Sequence, residues 1–236
     1  MDSRYQEMRS QIDKVFGRAV RLEDQTSISL SPTGEYQLEI ATFSTGPNSW
    51  EYSRGIVTRV SDGRLLADIK RNYGHFWYCW IAHPNGKEYL LCGEDYQGYS
   101  VLNLSEERCS VHFPEEGYQG FGFCWTKVTP SPDRLVLAVF GCYWACPYGV
   151  ALYDFQNPDE LPLRELGHYE NVEEVTGWVD NDTFLVTVEV EFRASDGRLN
   201  DTLTDAEQAV LDEDRSQVGY RIERREIRRS HLDQAT

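Results

Sequence analysis

The chain contains no long apolar run. Nowhere in its 236 residues do the roughly 18 consecutive apolar side chains of a membrane-crossing helix occur, and its first residues lack the apolar stretch of a secretory signal. It is short of base: 23 Lys and Arg stand against 39 Asp and Glu, a formal net charge of −16. Phosphate must be neutralised by a basic surface, so the composition argues against a general nucleic-acid binder. Signatures of common chemistry are missing too. There is no Gly-x-Ser-x-Gly elbow, no Gly-x-x-x-x-Gly-Lys phosphate loop, no His-Glu-x-x-His zinc helix and no Asp-x-Asp-x-Asp calcium loop. Gly120-Phe121-Gly122 lacks both a third glycine and a following helix, and reads as a strand entry.

What is present is a globular composition, 40% hydrophobic and 13% aromatic, well above a disordered chain. An even count of six cysteines would suit three disulfides in an exported protein. Without an export signal another reading is better. Four of them sit in apolar strings, Phe76-Trp77-Tyr78-Cys79-Trp80, Leu90-Leu91-Cys92, Phe123-Cys124-Trp125 and Phe140-Gly141-Cys142-Tyr143-Trp144. They are expected to be reduced core residues, which places the protein in the cytoplasm.

Residues 3–20 carry Tyr5, Met8, Ile12, Val15 and Phe16 at spacings of three and four, the stripe of an amphipathic helix. Its cover is either the rest of the chain or a second copy in a homodimer. After residue 25 the period becomes two, and a unit recurs. Its turns are Ser31-Pro32-Thr33-Gly34, His83-Pro84-Asn85-Gly86, Ser131-Pro132-Asp133 and Asp180-Asn181-Asp182, at intervals of 52, 48 and 48 residues. Short β-prone strings flank each turn, such as 76–80 before and 88–92 after the second. Third strands follow at 55–60, 99–104 and 150–155, each ending in a turn signal.

This pattern resembles the repeats of the β-propeller superfamily, of the WD40-like and TolB-like kind. The resemblance covers about residues 25–230 and is one of repeats only, since the Gly-His and Trp-Asp dipeptides of WD40 blades are missing. It implies an all-β fold of four propeller-like four-stranded repeats, closed as a four-bladed ring or left as an open arc. The expected division is an N-terminal helix over residues 1–24, repeats at about 25–72, 75–114, 120–167 and 173–230, and a tail over 231–236. In the fourth repeat a long insertion carries Thr204-Asp205-Ala206-Glu207, a capping box opening a short helix to about Leu211. Residues 215–229 hold six Arg and two Glu, read as an edge strand blunted by charge.

Three groups of residues could carry function. Cys142 and Cys146 have the spacing of half a zinc site, but no second pair matches it, so no cofactor is expected. Loop aromatics, Tyr96, Tyr99, Tyr118, Tyr143 and Trp144, are hard to bury, and Tyr and Trp dominate protein-binding hot spots. Acidic turns beside them, Glu94, Asp95, Glu115 and Glu116, would steer a basic partner. The expected function is a non-catalytic protein-binding module, of inhibitor or immunity type, that masks a basic partner such as a bacterial toxin. Membrane and nucleic acid are not expected partners. Two alternatives stay open: a hydrolase or lyase with a central pocket served by His75, His83, His112 or His168, and a zinc or redox site at Cys142 and Cys146.

Overall fold

Each repeat becomes an antiparallel meander, because each turn satisfies its own backbone. In a computed structural model, which describes residues 3–144 and 147–234, a helix α1 (Ser3–Phe16) precedes fifteen strands in four sheets. The first sheet is β1 (Val20–Leu30), β2 (Tyr36–Ser44), β3 (Glu51–Arg59) and β4 (Leu65–Arg71). The second is β5 (Tyr78–Ala82), β6 (Glu88–Gly93), β7 (Tyr99–Asn103) and β8 (Arg108–His112). The third is β9 (Phe123–Pro130), β10 (Val136–Tyr143), β11 (Tyr148–Asp154) and β12 (Glu165–Glu170). The fourth has only β13 (Val172–Trp178), β14 (Thr183–Arg193) and β15 (Val218–Arg228).

One hydrogen-bond solution recurs at the turn between the first two strands. The backbone N–H of Ser31 donates to Tyr36 O (2.9 Å), and that of Ser131 to Val136 O (2.8 Å). Each serine Oγ accepts the next strand's first N–H, from Tyr36 (3.3 Å) and Val136 (3.0 Å). His83 and Val179 make the corresponding backbone bonds to Lys87 and Thr183. The residue after each third strand then donates back to the start of the second: Val60 to Glu35, Leu104 to Glu88, Phe155 to Leu135 and Arg229 to Asp182. This last bond identifies β15 as the third strand of the fourth unit.

The sheets stack in chain order through three shared cores. Leu38, Val57 and Ile69 of the first sheet pack with Leu90, Cys92 and Leu102 of the second. Tyr89, Leu91 and Tyr99 pack with Trp125, Leu137 and Tyr153 of the third. Val136, Ala138 and Leu152 pack with Phe184, Val186 and Ile227 of the fourth. Polar links cross the same gaps: Trp80 Nε1 donates to Ser29 Oγ and Trp178 Nε1 to Thr129 O, both at 2.9 Å. Among the described residues no such core joins the fourth sheet to the first.

Two expectations need correction. The helix ends at Phe16, and residues 20–24 belong to β1, where Val20 and Arg21 already pair with Ser44 and Phe43 across a bulge. The Gly17 N–H closes the last turn on Asp13 O. The fourth repeat is three-stranded, because β14 and β15 form a long ribbon paired over their full length and the intervening chain goes into α2 (Asp205–Glu213) instead of a strand. The capping box at Thr204 and Glu207 is present, and Arg193 and Arg198 both pair with Glu207. Arg215, Arg221, Arg225, Arg228 and Arg229 each pair with a carboxylate, so the basic stretch is largely neutralised within the chain. No helix among the described residues is long and apolar enough to cross a membrane.

Candidate functional site

A meander sorts its connections between two ends. The turns between first and second strands, and between third and fourth, lie at one end. The turns between second and third strands, and the links between sheets, lie at the other. That second end therefore gathers residues 45–50, 72–77, 94–98 and 113–122, the loop after Tyr143, and the insertion carrying α2. Loops held by a rigid scaffold are where binding residues concentrate.

An aromatic cluster spans these loops. Tyr73 and Tyr96 have ring centroids 4.9 Å apart; Trp50 lies 6.3 Å from Tyr73 and 6.1 Å from Tyr96; Trp144 lies 6.1 Å from Tyr96. The rings come from four loops of the first three sheets. Trp50 is 50% exposed and Trp144 66%. Trp144 also holds a backbone φ of +40°, a region that costs a bulky side chain free energy. Trp50 is pinned by its Nε1, which donates to Asn72 O at 3.2 Å.

Beneath the rings lies a buried polar knot. Arg71 is almost wholly buried and donates from Nη1 to His75 O (2.8 Å) and from Nη2 to Asp95 O (2.5 Å). Asp95 Oδ1 accepts the N–H of Asn72 at 3.1 Å. One guanidinium and one carboxylate thus tie the loop bearing Tyr73 to the loop bearing Tyr96. Burial pushes the Asp95 carboxyl up and the Arg71 guanidinium down, each partly offset by the other's charge. Gly93 leaves the room, since a Cβ there would fall 2.5 Å from the Arg71 Cζ and 2.7 Å from Trp77 Nε1.

A second buried carboxylate fastens α1 to the same end. Glu94 accepts from Tyr5 Oη (2.5 Å) and Ser100 Oγ (2.6 Å) and pairs with Arg9 at 3.0 Å. Burial first, and the Glu94 charge second, push the Tyr5 hydroxyl far above its ordinary range, so it stays a donor at any working pH. Tyr5 and Ile12 are buried, and Phe16 packs edge-on against Phe43 and Tyr52.

The expected site residues divide between two adjoining depressions. Tyr96, Tyr118, Trp144 and Asp95 line a groove of about 440 Å³ between α1 and the loops. Tyr143, Glu116 and Tyr99 line a cleft of about 380 Å³ between the second and third sheets. Glu115 pairs with Arg4 at 2.7 Å on the groove's rim. Three placements differ from a surface role. Glu94 and Asp95 are buried and hold the loops, because each accepts donors brought by neighbouring elements. Tyr99 is a core residue stacked on Trp125 at 4.3 Å, its hydroxyl accepting the Leu163 N–H.

Cys142 is buried in β10 opposite Cys124, and Cys146 lies outside the described residues. Among the described residues no three His, Cys, Asp or Glu side chains converge as metal ligands do. His83 has both ring nitrogens occupied, by Phe155 O and the Asn85 N–H, while His112 and His168 line clefts. Sequence reasoning missed Trp50, Tyr73 and Arg71. A tryptophan after Gly46-Pro47-Asn48-Ser49 and a tyrosine in Asn72-Tyr73-Gly74 are aromatics in turn strings, a usable signal. Nothing local marks Arg71 as buried.

No family model matches the chain. An uncharacterized protein of Acanthamoeba polyphaga mimivirus is 34% identical over 131 residues, 56% of this chain and 51% of that protein. The chain thus matches about half the length of this curated relative. Among solved structures, TolB from Acinetobacter baumannii aligns with a TM-score of 0.36 and 14% identity, over 74% of this chain and 41% of that one.

Proposed function

We propose that the four sheets are propeller-like blades set in an open arc, and that the chain is a non-catalytic binding module holding a basic protein on its loop end. The inhibitor or immunity type of module, acting in the cytoplasm, fits this reading best. The observation that carries it is the cluster of exposed Trp50, Tyr73 and Trp144 around half-buried Tyr96, standing on the buried Arg71–Asp95 knot. Exposed aromatics cost solubility unless they meet a partner, and a rigid base lets them bind without first being ordered. A chain at −16 attracts a basic partner at long range, while the rings supply close contact.

The test is affinity capture from the native host with the wild-type chain and a Trp50→Ala/Trp144→Ala double variant, in low and high salt. One basic protein should be retained by the wild type, lost with the double variant and weakened as salt rises. Equal retention by both chains, or capture of acidic proteins only, would overturn the proposal.

A further inference from the structure

The cleft between the second and third sheets differs in chemistry from the aromatic cluster beside it. Its floor is a run of stacked rings: Tyr99 and Trp125 have centroids 4.3 Å apart and nearly parallel planes, and Tyr153 lies 4.8 Å from Trp125. Two further rings form the lips, Phe121 at 70% exposure and Tyr143 at 47%. Large rings at the mouth of a cavity floored with rings offer π-faces to whatever enters.

The polar groups of the cleft share one sign. Glu165 and Glu116 both line it, and no lysine or arginine does among the described residues. Glu165 is held in place, because Tyr153 Oη donates to its Oε2 at 3.1 Å. Among the described residues, its Oε1 faces His168 Nδ1 at 3.8 Å, too far for a hydrogen bond. Glu116 is exposed on the line between sheet and solvent. The remaining titratable group is His112, whose charged form is disfavoured by burial. It therefore adds no positive charge near neutral pH.

Carboxylates with spare acceptor capacity call for a cation. Ring faces select among cations: a planar, weakly hydrated guanidinium stacks on them and pairs bidentately with a carboxylate, which a strongly hydrated ammonium does less well. We propose that this cleft is a socket for a guanidinium group, stacked against the exposed lip rings Phe121 and Tyr143 above the aromatic floor and paired with Glu165 and Glu116. The group can come from a free alkylguanidine or from an arginine of a bound polypeptide. The second source deepens the reading of a basic protein partner and rests on it, whereas the socket itself does not.

The probe is N-acetyl-arginine amide, followed by calorimetry and by tryptophan fluorescence, with the neutral isostere N-acetyl-citrulline amide as control. The arginine derivative should bind saturably, with the citrulline analogue about tenfold weaker or more, and Glu165→Gln and Glu116→Gln should each weaken binding about five- to tenfold. Glu115→Gln, outside the cleft, should leave it unchanged. Methylguanidinium separates the sources: binding equal to that of the amide points to a free guanidine, and weaker binding points to a peptide arginine. Equal affinity for citrulline, or unchanged affinity in both glutamate variants, would overturn the proposal. Should Glu165→Gln fail to fold, Glu116→Gln at its exposed site carries the test. Trp50→Ala/Trp144→Ala should bind the arginine amide normally. A failed protein capture beside intact arginine binding therefore removes the partner reading alone.

Discussion

The two ends of the sheets are built differently. At the turn end, one local arrangement is repeated. A Ser-Pro, His-Pro or Asp-Asn turn closes on its own backbone, and the residue after each third strand donates back to it. At the loop end nothing repeats. Trp50, Tyr73, Tyr96 and Trp144 occur once each; buried Arg71 and Asp95 tie together the loops of Tyr73 and Tyr96, and buried Glu94 fastens α1 beside them. Repetition serves stability, because each turn meets the same backbone requirement. Singular chemistry at the other end, bought with buried charge, is where a fold can spend stability on recognition.

The largest effect should come from breaking the knot. Arg71→Met leaves Asp95 buried without its countercharge and two carbonyls without their donor, which should cost about 3 kcal/mol on the scale of broken buried pairs. Urea denaturation would measure it. A cost below that of a turn substitution would mean the two ends are not built differently after all. At the turn end, Ser131→Ala removes the acceptor of the Val136 N–H and the donor to Asp133, and should cost about 1 kcal/mol. Ser31→Ala should behave similarly, since its Oγ holds the equivalent Tyr36 N–H. The smallest change in stability belongs to Trp144→Ala, within about 0.5 kcal/mol, because its ring is mostly in solvent. Its melting temperature should match the wild type while partner capture falls. A large loss of stability there would show the ring to be a packing element.

Much of the fold was legible in the residues. The turns at Pro32, Pro84, Pro132 and Asp180 marked the four units because Pro, Gly, Asn and Asp prescribe local backbone geometry. The strings at 88–92 and 134–140 showed as strands because both their faces are apolar, and both faces are covered by neighbouring sheets. The three-stranded fourth sheet was not legible. Its strands look like the others, and only the length of the β14–β15 ribbon shows where the chain leaves the meander.

The candidate site was legible in part, for the same reason. Rings in turns, Trp144 and Tyr96, could be singled out because no periodic strand claims them. Glu94 and Asp95 looked identical to surface acid, and Tyr99 to a loop aromatic, until their partners were in place. The residues by themselves determined the all-β architecture, the repeat and its turns, since these follow from interactions a few residues apart. Which acids are buried, that Arg71 lies under the rings, and that Glu116 and Glu165 face one cleft were decided only by the tertiary structure. Those facts depend on loops distant in sequence meeting across the sheet stack, and no local preference encodes such a meeting.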